Sequence, residues 1–177
     1  MTLVLASASP ARLATLRAAG IEPRVIVSGV DESVVHNDGA LDAAKVACRL
    51  AELKSEAVAV RLADDGDRER FVLGCDSVLE FDGQVLGKPA DAADAVARWA
   101  SMRGHSGVLH TGHCLRDLDQ GTALVRGAAT VVHFATVSDE EIAAYVATGE
   151  PLQVAGAFTI DGLGGAFVRG LEGDPHT

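Results

Sequence analysis

The amino-acid sequence predicts an α/β fold in which helices flank a mixed β-sheet. Short apolar runs typical of strands alternate with helical patterns along most of the 177 residues. Turn residues join two pairs of these strands as hairpins, at Asp82-Gly83 and around residues 119–121. The length suits one domain, so we expect a single domain over residues 1–177.

The N-terminal part predicts a strand, a helix, a second strand and a long helix. The apolar run at 3–6 predicts the first strand, and Ser9 and Pro10 are typical of the N-cap and first position of a helix. A second strand is predicted over 23–30. An alanine-rich pattern then predicts a helix from about Ala40 to Leu62.

Strand patterns, turn residues and helix caps predict the remaining elements. They are a strand over 71–81, a return strand over 84–86, a helix from Asp91 to about Met102, strands over 108–118 and 122–137, a helix started by the capping box Ser138/Glu141, and a short apolar run over 166–168.

Composition and charge exclude several classes of protein. Fifteen Lys and Arg against twenty-five Asp and Glu leave a net charge of −10, which argues against nucleic acid as a partner because a phosphate backbone needs a basic surface. We find no signal-peptide or membrane-span pattern. Cys48, Cys75 and Cys114 are odd in number and far apart, as is typical of reduced thiols in a cytoplasmic protein.

The pattern Ser7-x-Ser9-x-x-Arg12 lies where the first strand passes into the first helix. Backbone N–H groups and the helix dipole attract anions at such a point, and the two hydroxyls add hydrogen bonds. A cation in the first turn is unfavourable towards the dipole, and a bound anion would explain Arg12. The alternative is a plain serine cap with a solvated arginine.

Carboxylates and lysines elsewhere suit phosphate chemistry. Asp76 interrupts an apolar strand, where a carboxylate needs a hydrogen bond, an ion pair or a metal. Ser77 faces the opposite side of a regular strand. Glu32 follows the second strand, and Lys88 lies in a Gly-Lys-Pro turn. Metal-assisted phosphoryl transfer uses such groups, because carboxylates hold Mg²⁺ and cations bind phosphate oxygens. Each alone also fits an ordinary structural or surface residue.

Other motifs point away from different chemistries. His110-x-x-His113 pairs two imidazoles, but no third ligand is evident nearby, so zinc is not favoured. We find no P-loop pattern and no G-x-G-x-x-G after a strand, so a P-loop enzyme or a dinucleotide-binding fold is not indicated. The glycines over 162–173 are typical of turns or close backbone approach.

The sequence resembles the Maf nucleoside triphosphate pyrophosphatases, a family also called septum-formation inhibitor proteins. The matching fragments follow the family's order along nearly the whole chain. They are Leu5-Ala6-Ser7-Ala8-Ser9-Pro10-Ala11-Arg12, Asp31-Glu32, Leu50-Ala51-Glu52-Leu53-Lys54, Gly74-Cys75-Asp76-Ser77-Val78, Gly87-Lys88-Pro89, Gly104-His105, His110-Thr111-Gly112, Glu140-Glu141-Ile142 with Tyr145, Gly149-Glu150-Pro151, Ala155-Gly156-Ala157-Phe158 and Gly173-Asp174.

The resemblance implies an activity, a cofactor and an architecture. We expect hydrolysis of a nucleoside triphosphate between the α and β phosphates, clearing non-canonical or modified nucleotides. A divalent cation, usually Mg²⁺, is implied. So are an elongated, inosine-triphosphatase-like α/β fold with a central cleft and a homodimer, with no nucleic acid or membrane as partner.

The resemblance also implies site residues, position by position. Asp76 resembles the general base that activates water, and Glu32 resembles a metal-binding or water-positioning carboxylate. Both are therefore the expected metal ligands. The expected phosphate-binding residues are Ser7, Ser9, Arg12, Lys54 and Lys88.

The sequence departs from the family pattern at several positions. Ala11 replaces one of two arginines frequent after the Ser-x-Ser-Pro segment, and where many members read Asp-Lys-Ala-Gly this chain has Gln153-Val154-Ala155-Gly156, so a lysine is missing. The specificity positions Ser77 and Asp161 combine features of different branches, since members acting on dTTP and UTP carry Gln where this chain has Asp161. A carboxylate there can accept from the N1–H and amino group of guanine, which favours purines. The family continues beyond Gly173-Asp174, so we expect this chain to lack the family's C-terminal end.

Two other functions stay open at the level of sequence. One is a non-catalytic, nucleotide-binding regulator of septum formation, which would need phosphate-binding residues but no carboxylate that activates water. The other is a phosphatase that releases orthophosphate, which only its product distinguishes.

Overall fold

A computed structural model describes residues 3–36, 41–66 and 69–176 of the chain. Its strands form a mixed sheet with hydrogen-bonded order β2-β1-β3-β5-β6-β7, and β4 pairs with β3. The strands are β1 (Leu3–Leu5), β2 (Arg24–Val25), β3 (Phe71–Phe81), β4 (Gln84–Leu86), β5 (Ser106–Asp117), β6 (Thr122–Phe134) and β7 (Val168–Glu172). The helices are α1 (Pro10–Ala18), α2 (Ser33–His36), α3 (Ala43–Asp64), α4 (Ala92–Met102) and α5 (Asp139–Ala147). The predicted α/β class with a mixed sheet is confirmed.

The chain divides into two compact units. The first comprises Met1–Asp76 and Thr111–Ala128, and the second comprises Ser77–His110 and Ala129–Thr177. That residues 1–177 form a single domain stays a prediction.

The predicted strand over 23–30 is mostly wrong. Only Arg24–Val25 pair with β1, in parallel. Beyond them, the carbonyls of Val27 and Ser28 accept hydrogen bonds from the Arg61 guanidinium at 2.7 and 2.6 Å, so a side chain occupies groups that a neighbouring strand would otherwise use. The short helix α2 was not predicted, although Asp31 caps its first turn by accepting from the Ser33 amide at 3.0 Å.

The observed boundaries of other elements differ from the predicted ones by a few residues. Helix α3 begins after its cap Asp42, and the predicted start at Ala40 lies outside the described residues. Strand β6 ends at Phe134 instead of 137, and β7 begins at Val168, the last residue of the apolar run over 166–168. The predicted caps are confirmed, because Ser9, Asp91 and Ser138 each accept from a backbone amide at the start of a helix.

In the first unit, helix α3 packs one face against the strands. Its buried residues recur every three to four positions, as the period of an α-helix requires. They are Ala43, Val46, Ala47, Leu50, Ala51, Lys54, Ser55, Val58 and Leu62. Val58 and Leu62 join Val4 and Val72 of the strands in an apolar cluster. Lys54 is therefore a lysine in an otherwise mainly apolar stripe.

The second unit is built around Trp99. Its indole packs edge-on against Phe134, Tyr145 and Phe167, with ring centroids 5.5, 5.6 and 5.7 Å away. The indole N–H donates to the Ala157 carbonyl at 2.8 Å, so this fully buried ring leaves no polar atom unsatisfied. Helices α4 and α5 are held by this aromatic cluster. None of the described helices is long and apolar enough to cross a membrane.

Candidate active site in the first unit

The register of two parallel strands brings the N-terminal serine segment to Asp76. Strand β1 pairs with β3 so that Leu5 lies opposite Leu73. The Ala6 amide continues the pairing by donating to the Leu73 carbonyl at 2.8 Å. Ser7 lies two residues after Leu5, and Cys75 lies two residues after Leu73. Asp76 is the next residue of β3. Strand β1 ends at Leu5 whereas β3 continues to Phe81, so the segment that leaves β1 at residue 7 runs beside Asp76 within β3, 69 residues later in the chain.

Ser7, Ser9 and Arg12 form a connected polar group. The Ser9 hydroxyl caps α1 by accepting from the Arg12 amide at 3.4 Å, and the Ser7 hydroxyl accepts from the Ser9 amide at 3.2 Å. The Arg12 guanidinium folds back to donate to the Ser7 hydroxyl at 3.0 Å and to the Cys75 carbonyl at 2.9 Å. The serine caps the helix, and the Arg12 guanidinium is hydrogen-bonded within the protein; that this segment binds an anion stays a prediction.

Lys54, Glu32 and Asp76 form an ionic cluster beside this group. The Lys54 ammonium lies 2.6 Å from the Glu32 carboxylate and donates a short hydrogen bond to Asp76. Lys54 and Asp76 are buried, with side chains 10% and 9% exposed, whereas Glu32 is 33% exposed. Two acids thus share one lysine.

The strand carries a glycine that lets α3 bring Lys54 so close. A Cβ on Gly74 would lie 2.1 Å from the Ala51 carbonyl and 2.8 Å from the Ser55 amide. Gly74 and Asp76 are two positions apart and share one face of β3. The backbone of α3 therefore occupies the space that a side chain at residue 74 would fill. This close approach of the helix to β3 brings Lys54 into contact with Asp76.

Burial changes the acidity of this site. It raises the pKa of Asp76, and the charges of Lys54 and Arg12 oppose that effect only in part, while Glu32 adds to it. Burial likewise raises the pKa of the neighbouring Cys75 thiol to about 11. His113, on β5, has its pKa lowered by burial and by the charge of Arg12, so its imidazole is neutral at physiological pH. The site is a poorly hydrated environment that makes Asp76 a stronger base than a free aspartate.

The site offers two carboxylates of the kind that bind Mg²⁺. Mg²⁺ prefers oxygen ligands and commonly takes one or two carboxylates together with waters and substrate phosphates. Glu32 and Asp76 supply such a pair. Within the described part of the chain no group of three His, Cys, Asp or Glu side chains is arranged to hold a metal ion. A cation held here would therefore need oxygens from substrate or water.

Three further expected residues belong to the second unit. Ser77 continues β3 with a partly exposed side chain, Lys88 is exposed in the turn after β4, and Asp161 is exposed in the loop before β7. The amide of Asp161 donates to the Thr159 hydroxyl at 3.2 Å. In the first unit the structure brings together Ser7, Ser9, Arg12, Glu32, Lys54 and Asp76.

The two histidines of the His-x-x-His motif have separate surroundings. His110 contacts the Glu80 carboxylate at 3.0 Å in the second unit, and His113 belongs to the first. All three cysteines are free thiols. One polar residue was missed by the sequence reasoning: Glu150, which binds the loop carrying Asp161. Its only signal was the Gly149-Glu150-Pro151 fragment, to which no role was attached.

The fold and the site define a class of protein. It is an α/β protein in which hydroxyls and a cation that follow β1 lie beside the ionic cluster of Lys54, Glu32 and Asp76, a set of groups suited to a phosphorylated ligand. The Maf-like protein family matches residues 2–177, so the chain belongs to this family. It is 64% identical over 177 residues to a nucleoside triphosphate pyrophosphatase of Salinispora tropica, an alignment that covers 100% of this chain and 77% of the relative. It is 55% identical over 172 residues to a nucleoside triphosphate pyrophosphatase of Streptomyces coelicolor, covering 97% and 81%. A nucleoside triphosphate pyrophosphatase of Rhodococcus erythropolis is 55% identical over 181 residues, covering 99% and 84%.

Proposed function

We propose that this protein hydrolyses nucleoside triphosphates between the α and β phosphates, releasing a nucleoside monophosphate and pyrophosphate. The observation that carries the proposal is the buried Asp76 carboxylate, held by Lys54 next to Glu32 and to the Ser7/Arg12 group. A regulator that only bound a nucleotide would need cations and hydroxyls. It would have no need of a buried carboxylate with raised basicity. The names of the relatives agree with this activity.

Asp76 is the proposed general base. It accepts a proton from the attacking water as the water oxygen bonds to phosphorus. Attack at the α phosphorus expels pyrophosphate together with the bridging oxygen, and attack at the β phosphorus expels the nucleoside monophosphate together with that oxygen. Burial raises the pKa of Asp76, which makes the carboxylate a better proton acceptor, and Lys54 favours its ionised form. Glu32 is the proposed partner that positions the water.

Lys54 has a second proposed role, which follows from its two contacts. Its single positive charge is shared by the Glu32 and Asp76 carboxylates and offsets part of their negative charge. When substrate binds, Lys54 contributes its charge to the phosphates together with Arg12, Ser7, Ser9 and Lys88. A divalent cation, which we propose to be Mg²⁺ bound by Glu32 and Asp76, supplies further charge neutralisation of the triphosphate.

Asp161 is proposed to favour guanine. Its carboxylate is exposed and has no described ion-pair partner, and it can accept two hydrogen bonds from the N1–H and amino group of that base. Ser77 is the second proposed specificity residue. Activity in the cytoplasm as a homodimer and clearance of modified nucleotides belong to the same proposal.

Product analysis tests the function directly. The purified protein is incubated with Mg²⁺ and a panel of natural and modified nucleoside triphosphates, and the monophosphate, pyrophosphate and orthophosphate are quantified separately. Pyrophosphate and monophosphate in equal amounts, both lost in Asp76→Asn, are the expected result. Orthophosphate with a diphosphate would establish a phosphatase instead. Nucleotide binding without any turnover would favour the regulator.

Base preference is tested in the same assay. We expect a higher kcat/KM for GTP than for UTP, and a smaller difference in Asp161→Asn. A clear preference for UTP would contradict the role of Asp161 and leave the pyrophosphatase proposal intact.

A further inference from the structure

Glu150 binds the loop that carries Asp161 through a dense set of hydrogen bonds. Glu150 opens a short 3-10 turn after α5, and its side chain is half-buried. Its carboxylate accepts from the Tyr145 hydroxyl at 2.8 Å, from the Leu163 amide at 3.0 Å and from the Gly164 amide at 2.9 Å. Two of the three donors are therefore backbone amides that lie two and three residues after Asp161 in the chain.

Tyr145 extends this attachment to the other side of Asp161. Its ring is fixed between Trp99 and Phe167, and its hydroxyl interacts with the backbone of Thr159 as well as with Glu150. The chain is thus held two residues before Asp161 and two residues after it. The backbone between these two points has little freedom left, which restricts the place from which the exposed Asp161 side chain extends.

Gly162 provides independent support for this arrangement. A Cβ at that position would lie 2.3 Å from a Glu150 carboxylate oxygen, which is closer than any real contact allows. The backbone of Gly162 has a φ of −135°, which other residues adopt readily. A side chain at residue 162 would therefore displace the Glu150 carboxylate from its three donors, whereas the backbone angle would tolerate one.

The charge of Glu150 fits the same role. Partial burial favours its neutral form, but the amides of Gly164 and Leu163 and the Tyr145 hydroxyl outweigh burial and lower the pKa of the carboxyl. Glu150 is accordingly ionised at neutral pH, and an ionised carboxylate is a strong acceptor for all three donors.

We propose that Glu150 is a positioning residue for base recognition, which holds residues 159–164 so that the Asp161 carboxylate can meet the N1–H and amino group of guanine. The proposal rests on the function proposed above for Asp161. Glu150 itself does not touch the nucleotide. Its contribution is to bring Asp161 to the base without a further cost of ordering the loop.

Binding of uncleavable nucleotides tests this role separately from catalysis. The dissociation constants of the α,β-methylene analogues of GTP and UTP are measured for the wild type, Glu150→Gln and Gly162→Ala. Gln is isosteric but places an NH₂ group against one of the donors, and Ala at residue 162 displaces the carboxylate without removing it. Glu172→Gln is the matched control, because Glu172 belongs to the same unit and its exposed carboxylate contacts the His133 imidazole at 2.8 Å, away from the residues that Glu150 holds.

We expect the wild type and Glu172→Gln to prefer the guanine analogue by about tenfold or more, the factor that about 1.4 kcal/mol of discrimination provides. In both Glu150→Gln and Gly162→Ala the preference falls to about threefold or less. Amide exchange in Glu150→Gln increases at Leu163 and Gly164 and is unchanged in β3, which shows that the protein is folded.

Either of two results would overturn the positioning role: a wild type that binds both analogues equally, or variants that keep the wild-type ratio within twofold. Failure of the proposed pyrophosphatase is seen elsewhere, as an absence of pyrophosphate from GTP itself. The two proposals can therefore fail independently.

Discussion

The two units each hold a partly or wholly buried carboxylate, and they do so by opposite means. Asp76 in the first unit has a charged partner, Lys54, which a second acid shares. Glu150 in the second has no described cation and accepts instead from two backbone amides and a phenol. The pKa of Asp76 is nevertheless raised, because burial outweighs its cations, and the pKa of Glu150 is lowered.

This comparison separates two uses of a carboxylate. The three neutral donors around Glu150 stabilise its ionised carboxylate and lower its pKa, so this carboxylate is suited to holding a loop. Asp76 is close to a cation but poorly hydrated, so its ionised form is less favourable than that of a free aspartate. A carboxylate in that condition is suited to accepting a proton from water.

The largest expected effect comes from removing the base in the first unit. Asp76→Asn should lower kcat by roughly 10²–10⁴-fold, the usual contribution of a general base. Because the folded-state pKa of Asp76 lies above the unfolded value, ionisation of the native carboxyl costs stability once the pH rises past the unfolded pKa. The uncharged Asn avoids this cost, and Lys54 keeps Glu32 as a partner. Thermal melting at neutral pH should therefore give an equal or higher Tm.

Asp119→Asn is the matched control, because Asp119 is an exposed acid of the same unit, 3.4 Å from Arg70. It should retain wild-type turnover. A variant at Asp76 with substantial pyrophosphate release would rule out the assignment of the base.

The second effect comes from removing the shared cation. Lys54→Met leaves Glu32 and Asp76 facing each other, and loss of one partner from a buried ion pair costs about 3–5 kcal/mol of stability. With a chelator present to remove metal ions, we expect Lys54→Met to have a lower Tm than the wild type. Mg²⁺ without nucleotide should then raise the Tm of this variant more than that of the wild type, since the ammonium no longer competes with it.

Differential scanning calorimetry with and without Mg²⁺ measures both quantities. Lys45→Met is the control, because Lys45 is on the same helix, 67% exposed and paired only with its cap Asp42. An identical Mg²⁺ response in Lys54→Met and the wild type would show that the two acids do not bind the cation.

A smaller effect distinguishes the two carboxylates by pH. Glu150→Gln leaves one amide without a proper acceptor, which costs about 1–3 kcal/mol at neutral pH. Because the folded-state pKa of Glu150 is lowered, the wild type has its full advantage above the unfolded pKa, near ~4.3. It loses that advantage as the pH falls through the folded value. Urea unfolding of both proteins at neutral and acid pH should show the difference shrinking, and a difference that grows in acid would be incompatible with an ionised Glu150.

The smallest effect reports the low hydration around Asp76. With a pKa of about 11, the Cys75 thiol carries almost no thiolate at pH near 8, and it is buried. Iodoacetamide should therefore label the half-buried Cys48 well before Cys75, and unfolding should make Cys75 reactive. Mass spectrometry of the labelled peptides measures the order. Equal labelling rates in the native protein would mean that water reaches the Asp76 site freely.

Much of the fold could be predicted because its signals are local. Strand β3 and the caps Ser9, Asp91 and Ser138 were identified from patterns a few residues long. The strand predicted over 23–30 was not, because its apolar character is real but its carbonyls are taken by Arg61, 33 and 34 residues away in the chain. No local pattern reports such a competitor.

The sequence by itself determined the α/β class, the family and the residue types available for chemistry, since periodicity, caps and ordered motifs are properties of the chain alone. Only the tertiary structure decided which charges meet. Lys54 reaches Asp76 because Gly74 leaves room for α3, and Glu150 reaches the Asp161 loop because Gly162 leaves room for its carboxylate. These contacts join residues 22 and 13 positions apart in the chain. The surroundings formed there set the pKa of each acid, because burial raises the pKa of Asp76 and hydrogen bonds lower the pKa of Glu150.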